Sequence, residues 1–356
     1  MAFWQELPEP FFILAPMEAV TDVVFRHVVA AAAPPDVWFS EFTNATGWVH
    51  AGEKAVGGRL LKTNDEQPIV AQIWGGEPGD MEQLARHCRD LGYHGIDINM
   101  GCPAKSAVKS GGSALIRQPD LAAASIAAAK TAGLPVSVKT RLGYTHVDEW
   151  REWLGHLLRQ DVVNLTIHLR TKKEMSKVPA HHELIPEIVA LRDEIAPHIL
   201  LTINGDIENR AHGEQLVREN AGVNGVMIGR GIFHDPFCFL NNAEAESAVV
   251  SFSEDSAFPV AGPQDKIGRQ FARPGSEEKD DDSTSGKNKK HLIKLLRLHL
   301  DLFDQYQPQI GRPFETLKRF FKIYIREFDG ASELRHELMQ TKSTDEVRAV
   351  LLRHSL

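Results

Sequence analysis

Residues 68–101 read PIVAQIWGGEPGDMEQLARHCRDLGYHGIDINMG. The runs 68–74 and 95–101 are apolar or β-branched and have the length of buried strands. Between them Leu84, Cys88 and Leu91 recur at helical spacing, so the stretch predicts a strand, a helix and a second strand. Runs of the same kind lie at 11–17, 37–42, 135–141, 163–170, 198–206 and 225–231, with amphipathic segments between them.

Eight such strand-and-helix units in about 220 residues predict an α/β protein built as a TIM (β/α)8 barrel. The alternative is an open, doubly wound sheet, which calls for a GxGxxG turn after the first strand. The sequence there is APMEAVTD, which bears no similarity to that turn. We therefore expect the barrel.

The remaining chain divides into two parts. Residues 244–290 are polar with weak periodicity, which predicts a flexible insertion or linker. From His291 the helical period returns and continues through 314–328, 331–340 and 344–353, which predicts a small all-α helical bundle. The expected domains are thus 1–243, a TIM-barrel catalytic domain, 244–290, the linker, and 291–356, the helical domain.

Composition excludes several classes of protein. Hydrophobic residues make up 42% and charged residues 25% of the 356, which argues against a disordered, fibrous or coiled-coil chain. No apolar run reaches the roughly 18 residues of a membrane span, and no basic segment precedes the first apolar run. We expect a cytoplasmic monomer without membrane contact. The three cysteines form no CxxC pair, so we expect neither a disulfide framework nor a bound metal.

Charge is distributed unevenly. The net charge is −8, but residues 287–356 hold 14 Lys and Arg against 9 Asp and Glu, a net of +5, which leaves −13 on residues 1–286. In the basic part, Lys318, Arg319, Lys322 and Arg326 are spaced to fall largely on one helical face. A basic module on an acidic body predicts that this face contacts RNA.

The predicted strands end in polar residues, and strand ends form the active site of a TIM barrel. Seven of the eight ends can be read in this way. The first is Ala15-Pro16-Met17, and the other six carry polar or charged groups: Gln72, Asn99-Met100-Gly101-Cys102-Pro103, Lys139 with Arg141, His168 with Arg170, Asn204-Gly205-Asp206, and Gly229-Arg230-Gly231. The glycines after the seventh and eighth strands leave backbone N–H groups open where many barrels bind phosphate. A phosphate-bearing ligand is expected there.

Lys139 lies in the apolar context of a strand and requires a counter-charge or an electron-rich partner. Two partners fit, a Schiff-base carbonyl or the N1/O2 edge of a flavin. Gln72 favours the flavin, because an amide can both donate to and accept from its pyrimidine edge. Cys102 follows a strand end as a candidate acid or nucleophile, between which spacing alone does not decide. Cys88 and Cys238 lie in apolar patterns typical of core thiols.

The segments APMEAVTD, DINMGCPAK, VKTRLG, TIHLRT, NGDI and MIGRG, in this order and with the Gln72 strand, resemble the tRNA-dihydrouridine synthases. The resemblance covers residues 11–240, and the helical C-terminus is similar to the family's tRNA-binding domain. It implies an FMN barrel that uses NADPH, or NADH, to reduce uridines in tRNA to 5,6-dihydrouridine. The target base must then leave the RNA stack to reach a barrel mouth.

The resemblance also implies roles for individual residues. Cys102 would be the catalytic proton donor to carbon 5 of uracil, while hydride passes from FMN to carbon 6. The residues implied to hold FMN are Ala15, Pro16, Met17, Gln72, Lys139, His168, Asn204, Gly205, Asp206, Gly229 and Arg230. Those implied to face the uridine or the RNA phosphates are Asn99, Lys105, Arg141 and Arg170.

Three alternatives remain at this stage. An FMN barrel for a free pyrimidine, similar to dihydroorotate dehydrogenase, shares the flavin and the cysteine but has no use for a basic helical domain. A flavin-free aldolase would use Lys139 as a Schiff base. A non-enzymatic RNA-binding protein would have no reason to retain Gln72, Cys102, Lys139 and His168 together.

Overall fold

A computed structural model describes residues 2–56, 58–109, 111–241 and 284–356. Within these ranges nine short strands, all parallel, form one sheet. They are β1 (Phe11–Leu14), β2 (Trp38–Phe39), β3 (Thr43–Asn44), β4 (Ile69–Trp74), β5 (Gly95–Asn99), β6 (Val136–Arg141), β7 (Asn164–His168), β8 (Leu200–Asn204) and β9 (Gly225–Ile228).

The sheet closes into a barrel. Its order is β1-β9-β8-β7-β6-β5-β4-β2, and a parallel bridge between Ile13 and Val37 joins the two ends. Because β3 pairs with β4 just beyond β2, the two short strands together take the second of eight barrel positions. The predicted TIM barrel is confirmed.

The sequence predicts the second barrel strand as one run over 37–42, whereas the structure divides it into β2 and β3. Trp38 pairs with Ile69, but Thr43 pairs with Ile73, so one extra residue lies between β2 and β3. The interruption contains Ser40, whose hydroxyl accepts the Gln72 N–H at 3.0 Å, and the fully buried Glu41. The extra residue thus lies in the segment that carries the buried Glu41 carboxylate, whose partners are described below.

Helices follow most of the strands and cover the outside of the barrel, while Trp4 of the first helix belongs to the smaller core described below. They are α1 (Ala2–Gln5), α2 (Val23–Ala32), α3 (Ala45–Ala51), α4 (Glu53–Val56), α5 (Pro78–Asp90), α6 (Lys105–Val108), α7 (Pro119–Lys130), α8 (Trp150–Leu158), α9 (Ile185–Ile195), α10 (Arg210–Glu219) and α11 (Gly231–His234). Short 3₁₀ helices lie at Gly112–Arg117, Val147–Glu149 and His182–Leu184. Among the residues that the structure describes, none of the helices is long and apolar enough to span a membrane.

The C-terminal part consists of α12 (Thr284–Ile310), a 3₁₀ helix (Phe314–Phe320), α13 (Phe321–Tyr324), α14 (Ala331–Gln340) and α15 (Thr344–Arg353). The last two match their predicted bounds. Residues 284–290, assigned to the linker from sequence, belong to α12, whereas 244–283 lie outside the described residues. The domain boundaries stay a prediction.

The segment 314–328 was expected to be one helix and is not. It changes from a 3₁₀ to an α-helix at Phe321 and leaves the helical conformation at Ile325. Phe320, Phe321, Ile323, Tyr324 and Ile325 are all buried. A regular helix buries one stripe of side chains, so burial on every side favours this broken backbone.

Two apolar cores hold the molecule together. The smaller fills the lower part of the barrel, with Phe11, Ile13, Phe39, Val70 and Met227 among its members. The larger lies between the strands and the helices and continues into the C-terminal helices. At that junction the rings of Phe25 and Phe320 lie 4.7 Å apart, and Phe233 stacks on both. The helical part therefore packs directly on the barrel.

A buried ion pair accompanies this packing. Arg312, which follows α12, lies 2.5 Å from the Glu41 carboxylate and 3.2 Å from that of Asp22, the N-cap of α2. The Arg312 side chain is 11% exposed and that of Glu41 is fully buried. Burial raises the pKa of Glu41 and Asp22, while Arg312 opposes the rise. The barrel carboxylates thus depend on a cation from the helical part.

We predict that Arg312→Ala lowers the free energy of unfolding by about 3–5 kcal/mol, because it leaves two buried carboxylates without their cation. Urea unfolding followed by tryptophan fluorescence measures the change. The control is Arg348→Ala, whose side chain is 35% exposed and pairs with Asp301 and Asp304 at 2.7 Å. An exposed network of this kind contributes at most about 1 kcal/mol. Equal losses in the two variants would contradict the prediction.

Candidate active site

A cavity of about 420 Å³ opens at the carboxyl end of the barrel. Its size is within the range of small-molecule sites. It is lined by Ala15, Pro16, Met17, Lys139, His168, Ser176, Asn204, Gly205, Asp206, Ile207, Glu208, Gly229, Arg230, Gly231 and His234. Every residue assigned to the cofactor from sequence lines this cavity except Gln72.

Lys139 reaches the cavity from β6. Its neighbour Val138 packs outward against the helices, so strand alternation turns Lys139 inward. The Nζ atom donates to Asn204 Oδ1 at 3.2 Å, and Asn204 Nδ2 donates to the Met227 carbonyl at 2.8 Å. Burial, aided by the charge of Arg141, lowers the pKa of Lys139 to about 8. Lys139 therefore carries its positive charge at neutral pH, in a place that favours an anionic partner.

His168 is a neutral imidazole with a defined tautomer. Arg170 Nη1 lies 3.1 Å from His168 Nε2, and a guanidinium can only donate, so Nε2 accepts and the ring proton is on Nδ1. Burial, together with the charges of Arg141, Lys139, Arg170 and Arg230, lowers the pKa of His168 well below its usual value. The ring can offer one N–H to a bound ligand.

Asp206 organises the end of the cavity formed after β8 and β9. Its carboxylate accepts from Arg230 Nη2 at 2.7 Å, from the Ala180 N–H at 2.9 Å and from Arg170 Nη2. Partial burial opposes them, but these three donors hold the pKa of Asp206 below its usual value. Being an acceptor, Asp206 orients Arg230 rather than binding an anion itself. The exposed Arg230 and the N–H groups of the open glycines remain as hydrogen-bond donors to an anion.

Cys102 is half-buried in the loop after β5. Burial raises the pKa of its thiol, with Arg141 and Lys139 among the charges that oppose the rise. No hydrogen bond joins this thiol to His168 in the described part of the chain. The group is therefore a protonated thiol near neutral pH, which favours an acid over a nucleophile. Cys88 and Cys238 are buried, in agreement with the prediction of core thiols.

Three contacts hold the Cys102 loop. Asn99 Oδ1 accepts the N–H groups of Gly101 and Cys102 at 3.0 and 2.9 Å, and Arg141 Nε donates to the Gly101 carbonyl at 2.8 Å. Gly111 has φ +142°, and a Cβ there would lie 2.6 Å from the Gly75 carbonyl oxygen. Only glycine allows this close approach, which closes the loop against the end of β4.

The residues assigned to the uridine and the RNA phosphates have mostly internal partners. Arg141 and Arg170 are 6% and 2% exposed, and each donates to main-chain carbonyls, Arg141 to Thr171 and Met175 and Arg170 to Val178. Asn99 holds the Cys102 loop. The side chain of Lys105 lies outside the described residues. Their roles toward substrate stay predictions.

Sequence reasoning missed Asp97, a buried carboxylate beneath the site. It accepts from Gln72 Nε2 at 2.7 Å and from Ser137 Oγ at 2.6 Å. Burial raises its pKa to about 6. An acidic residue two positions before Asn99 in an apolar strand was the available signal. Four further residues that line the cavity were also missed, namely Ser176, Ile207, Glu208 and His234.

The basic face predicted at 318–326 is divided in the structure. Lys318 donates to the Met339 carbonyl at 2.9 Å, and Arg326 lies 3.9 Å from Asp235. Arg319 and Lys322 are exposed at the junction with the barrel. Arg319 donates to the Ala19 carbonyl at 3.2 Å, and Lys322 lies over the Phe233 ring at 5.6 Å.

A family model described as dihydrouridine synthase (Dus) matches residues 13–355. The chain belongs to the dihydrouridine synthase family. It is 54% identical over 351 residues to a "Probable tRNA-dihydrouridine synthase 2" of Bacillus subtilis, covering 98% of this chain and 95% of the relative. It is 52% identical to a "Probable tRNA-dihydrouridine synthase" of Staphylococcus aureus strain COL, covering 98% and 94%.

Among solved structures, a variant of NCR from Zymomonas mobilis is 15% identical with a TM-score of 0.44, covering 64% of this chain and 83% of that one. Similarity at this level carries no argument about function. Membership of the dihydrouridine synthase family is a different matter, since it makes the chain an oxidoreductase. Family membership thereby favours a flavin over a Schiff-base carbonyl as the expected partner of Lys139.

For this dihydrouridine synthase we predict that Asp206→Asn lowers the free energy of unfolding at pH 7 by about 1–2 kcal/mol, since Arg170 loses a charged hydrogen bond. The folded-state pKa of Asp206 is lowered, so its contribution is present above the unfolded pKa of about 3.9 and disappears as the pH falls through the folded value. Denaturation curves of wild type and variant should converge at acid pH. Asp345→Asn, with a side chain 92% exposed and an exposed ion pair to Arg348, serves as the control and should lose no more than about 0.5 kcal/mol. A difference that persisted below both pKa values would count against this account.

Proposed function

We propose that this chain is an FMN-dependent tRNA-dihydrouridine synthase, which reduces the 5,6 double bond of uridines in tRNA with NADPH or NADH. One observation carries the proposal. The same end of the barrel presents a cavity lined by Lys139 and His168 and, in the loop after β5 rather than in that lining, the half-buried Cys102 thiol, whose pKa burial raises. The relatives' names, with near-complete coverage of both chains, support tRNA as the substrate rather than a free pyrimidine.

The donors in the cavity fit FMN. Lys139 and the Nδ1–H of His168 are suited to the electron-rich pyrimidine edge of a flavin. At the other side Gly205, Gly229 and the exposed Arg230 offer N–H groups and a positive charge to a phosphate. When bound, FMN supplies the hydride that reduces carbon 6 of uracil.

Lys139 contributes electrostatics to this site. Its pKa of about 8 reflects burial and the charge of Arg141, so an added negative charge would raise the pKa and be stabilised in return. Asn204 holds the ammonium in place, because its amide is itself anchored to the Met227 carbonyl.

Cys102 is proposed to hold the proton that carbon 5 of uracil receives. Burial keeps this proton on Sγ, and the Asn99 and Arg141 contacts fix the loop that carries it. A serine hydroxyl would be a far weaker acid at neutral pH. After transfer the thiolate lies within the fields of Arg141 and Lys139, which stabilise it until it regains a proton.

The helical part is proposed to bind the tRNA. It carries the local excess of positive charge, and its exposed Arg319 and Lys322 lie at the junction with the barrel. Arg319 touches the turn after β1, directly beyond the cavity residue Met17. RNA phosphates along this junction would bring a nearby uridine to the barrel mouth.

Cys102→Ala should still bind FMN, accept hydride from NADPH and bind tRNA, since none of these steps needs the thiol proton. Oxidation of the pre-reduced enzyme by unmodified tRNA, measured in a single turnover, should slow by about 10²–10⁴-fold. Cys102→Ser should be nearly as slow. Cys88→Ala and Cys238→Ala are the matched controls and should react at the wild-type rate. A Cys102→Ala rate within about threefold of wild type, against that expectation, would exclude the residue as proton donor.

Reversing Arg319 and Lys322 to Glu should weaken tRNA binding by roughly tenfold or more at low salt and reduce its salt dependence. NADPH-driven flavin reduction should be unaffected. The control reverses Arg86 and Arg89, exposed residues in the C-terminal half of α5, which runs toward the opposite end of the barrel. Filter binding across salt concentrations measures both pairs. If both double variants bind tRNA equally well, the junction does not contact RNA.

A further inference from the structure

A chain of buried hydrogen bonds runs from Asp97 to the Cys102 loop. Gln72 Nε2 donates to Asp97 Oδ2 at 2.7 Å, and Asn99 Nδ2 donates to Gln72 Oε1 at 3.0 Å. Asn99 Oδ1 in turn accepts the N–H groups of Gly101 and Cys102. The three side chains are 0%, 0% and 6% exposed, in the order Asp97, Gln72 and Asn99. Water is therefore a poor substitute for any of these partners.

The direction of this chain is set from both ends. The Gly101 and Cys102 N–H groups can only donate, which turns the Asn99 oxygen toward them and its NH₂ toward Gln72. The Gln72 oxygen must then face Asn99, and its NH₂ must find an acceptor at the other end. An ionised carboxylate is a pure acceptor, so Asp97 meets this demand.

Each amide in the chain could otherwise be reversed, because its oxygen and nitrogen ends have the same shape. A reversed Asn99 would present NH₂ to two backbone N–H groups, and both N–H groups would lose the one oxygen that accepts from them. The ionised Asp97 carboxylate prevents this reversal, because it has no proton to donate to the Gln72 oxygen. The acceptor at one end of the barrel interior thereby determines how the loop at the mouth is held.

We propose that Asp97 is a positioning residue for Cys102, acting through the directed chain of Gln72 and Asn99. The inference rests on the proposed role of Cys102 as proton donor. In that role the thiol must keep one position relative to the base, and a misplaced acid loses most of its effect.

Ser137 offers a matched control within the same structure. Its hydroxyl donates to Asp97 Oδ1 at 2.6 Å, on the oxygen that does not face Gln72. Ser137→Ala removes an equally short hydrogen bond from the same carboxylate but leaves the chain intact. A general loosening of the barrel would affect both sides of Asp97, whereas the proposal involves one side.

The test compares Asp97→Leu, Asp97→Asn and Ser137→Ala in the FMN-loaded enzyme. Asp97→Leu has no acceptor for Gln72. Asp97→Asn loses the charge, but its oxygen can accept from Gln72 while its NH₂ donates to the Ser137 hydroxyl. The first readout is the alkylation rate of Cys102 by iodoacetamide, followed by peptide mass mapping. The second is single-turnover oxidation by tRNA, with flavin reduction by NADPH and the thermal midpoint measured alongside.

In Asp97→Leu we expect Cys102 alkylation to rise roughly tenfold, because the loop is freed, and oxidation by tRNA to fall by a similar factor. Flavin reduction should change little. Asp97→Asn and Ser137→Ala should stay within about twofold of wild type in both readouts. Wild-type-like rates in Asp97→Asn would show that the hydrogen-bond acceptor at position 97, and not the negative charge beside Lys139, holds the Cys102 loop.

Three results would overturn the proposal: wild-type alkylation in Asp97→Leu, equal effects of Asp97→Leu and Asp97→Asn, or equal effects of Asp97→Leu and Ser137→Ala. If Asp97→Leu does not fold, the test of the proposal rests on Asp97→Asn and Gln72→Met. Gln72→Met removes the middle link and should reproduce the faster alkylation, so a slow rate there also overturns the proposal. Failure of the proposed function gives a different result. In that case tRNA would oxidise the pre-reduced Cys102→Ala enzyme at the wild-type rate, while the alkylation rates of Cys102 in the other variants would still test the hydrogen-bond chain.

Discussion

The site depends on one constraint, namely that polar groups buried inside the barrel must find hydrogen-bond partners. Part of the lower interior avoids the constraint with apolar side chains such as Phe11, Val70 and Met227. The buried Asn164, Thr166 and Thr202 satisfy it by hydrogen-bonding to one another. Nearer the mouth, two further sets of contacts satisfy it. One connects Asp97 through Gln72 and Asn99 to the Cys102 loop, and the other connects Lys139 through Asn204 to the Met227 carbonyl. The Cys102 loop and the Lys139 ammonium are thus both held by partners that cannot turn away without leaving a buried group unpaired.

Arginines extend this control to the loops around the mouth. Arg141 ties the Cys102 loop to the segment after β7, and Arg170 ties that segment to His168 and Asp206. Each guanidinium offers several donors in a fixed geometry, which suits a group that joins separate loops. Burial, reinforced by their positive charges, keeps the pKa of His168 well below its usual value. The loops therefore form one connected rim rather than independent segments.

The helical part is joined to this rim at the turn after β1. Glu41 accepts the Ala19 N–H at 2.5 Å and receives Arg312 from the helical part, while Arg319 donates to the Ala19 carbonyl. Ala19 has φ +55°, an unusual conformation for a residue with a side chain, and these contacts stabilise it. Since Met17 of the same turn lines the cavity, the part of the chain proposed to bind RNA directly supports a wall of the proposed cofactor site.

Local patterns carried much of the prediction. The eight strand positions follow from apolar runs about thirty residues apart, and the helices 331–340 and 344–353 follow from their spacing, because periodic burial is a property of neighbouring residues. The cavity residues could be listed as well, since strand ends of a TIM barrel meet at one face whatever the details of packing. Gln72 was assigned to the cofactor on its chemistry, yet its side chain pairs with Asp97 and Asn99, a contact between strands that no local pattern reports.

By itself the sequence determined the barrel, the residues at its mouth, the core character of Cys88 and Cys238 and the family. The tertiary structure decided what those residues do with one another. It divided the second strand around Glu41, broke the helix expected at 314–328, gave Arg141 and Arg170 internal partners and placed Asp97 under the site. The physical reason is the same in each case. Hydrogen bonds and ion pairs join residues far apart in the chain, and their partners are set by distance and direction in space, which a one-dimensional pattern does not contain.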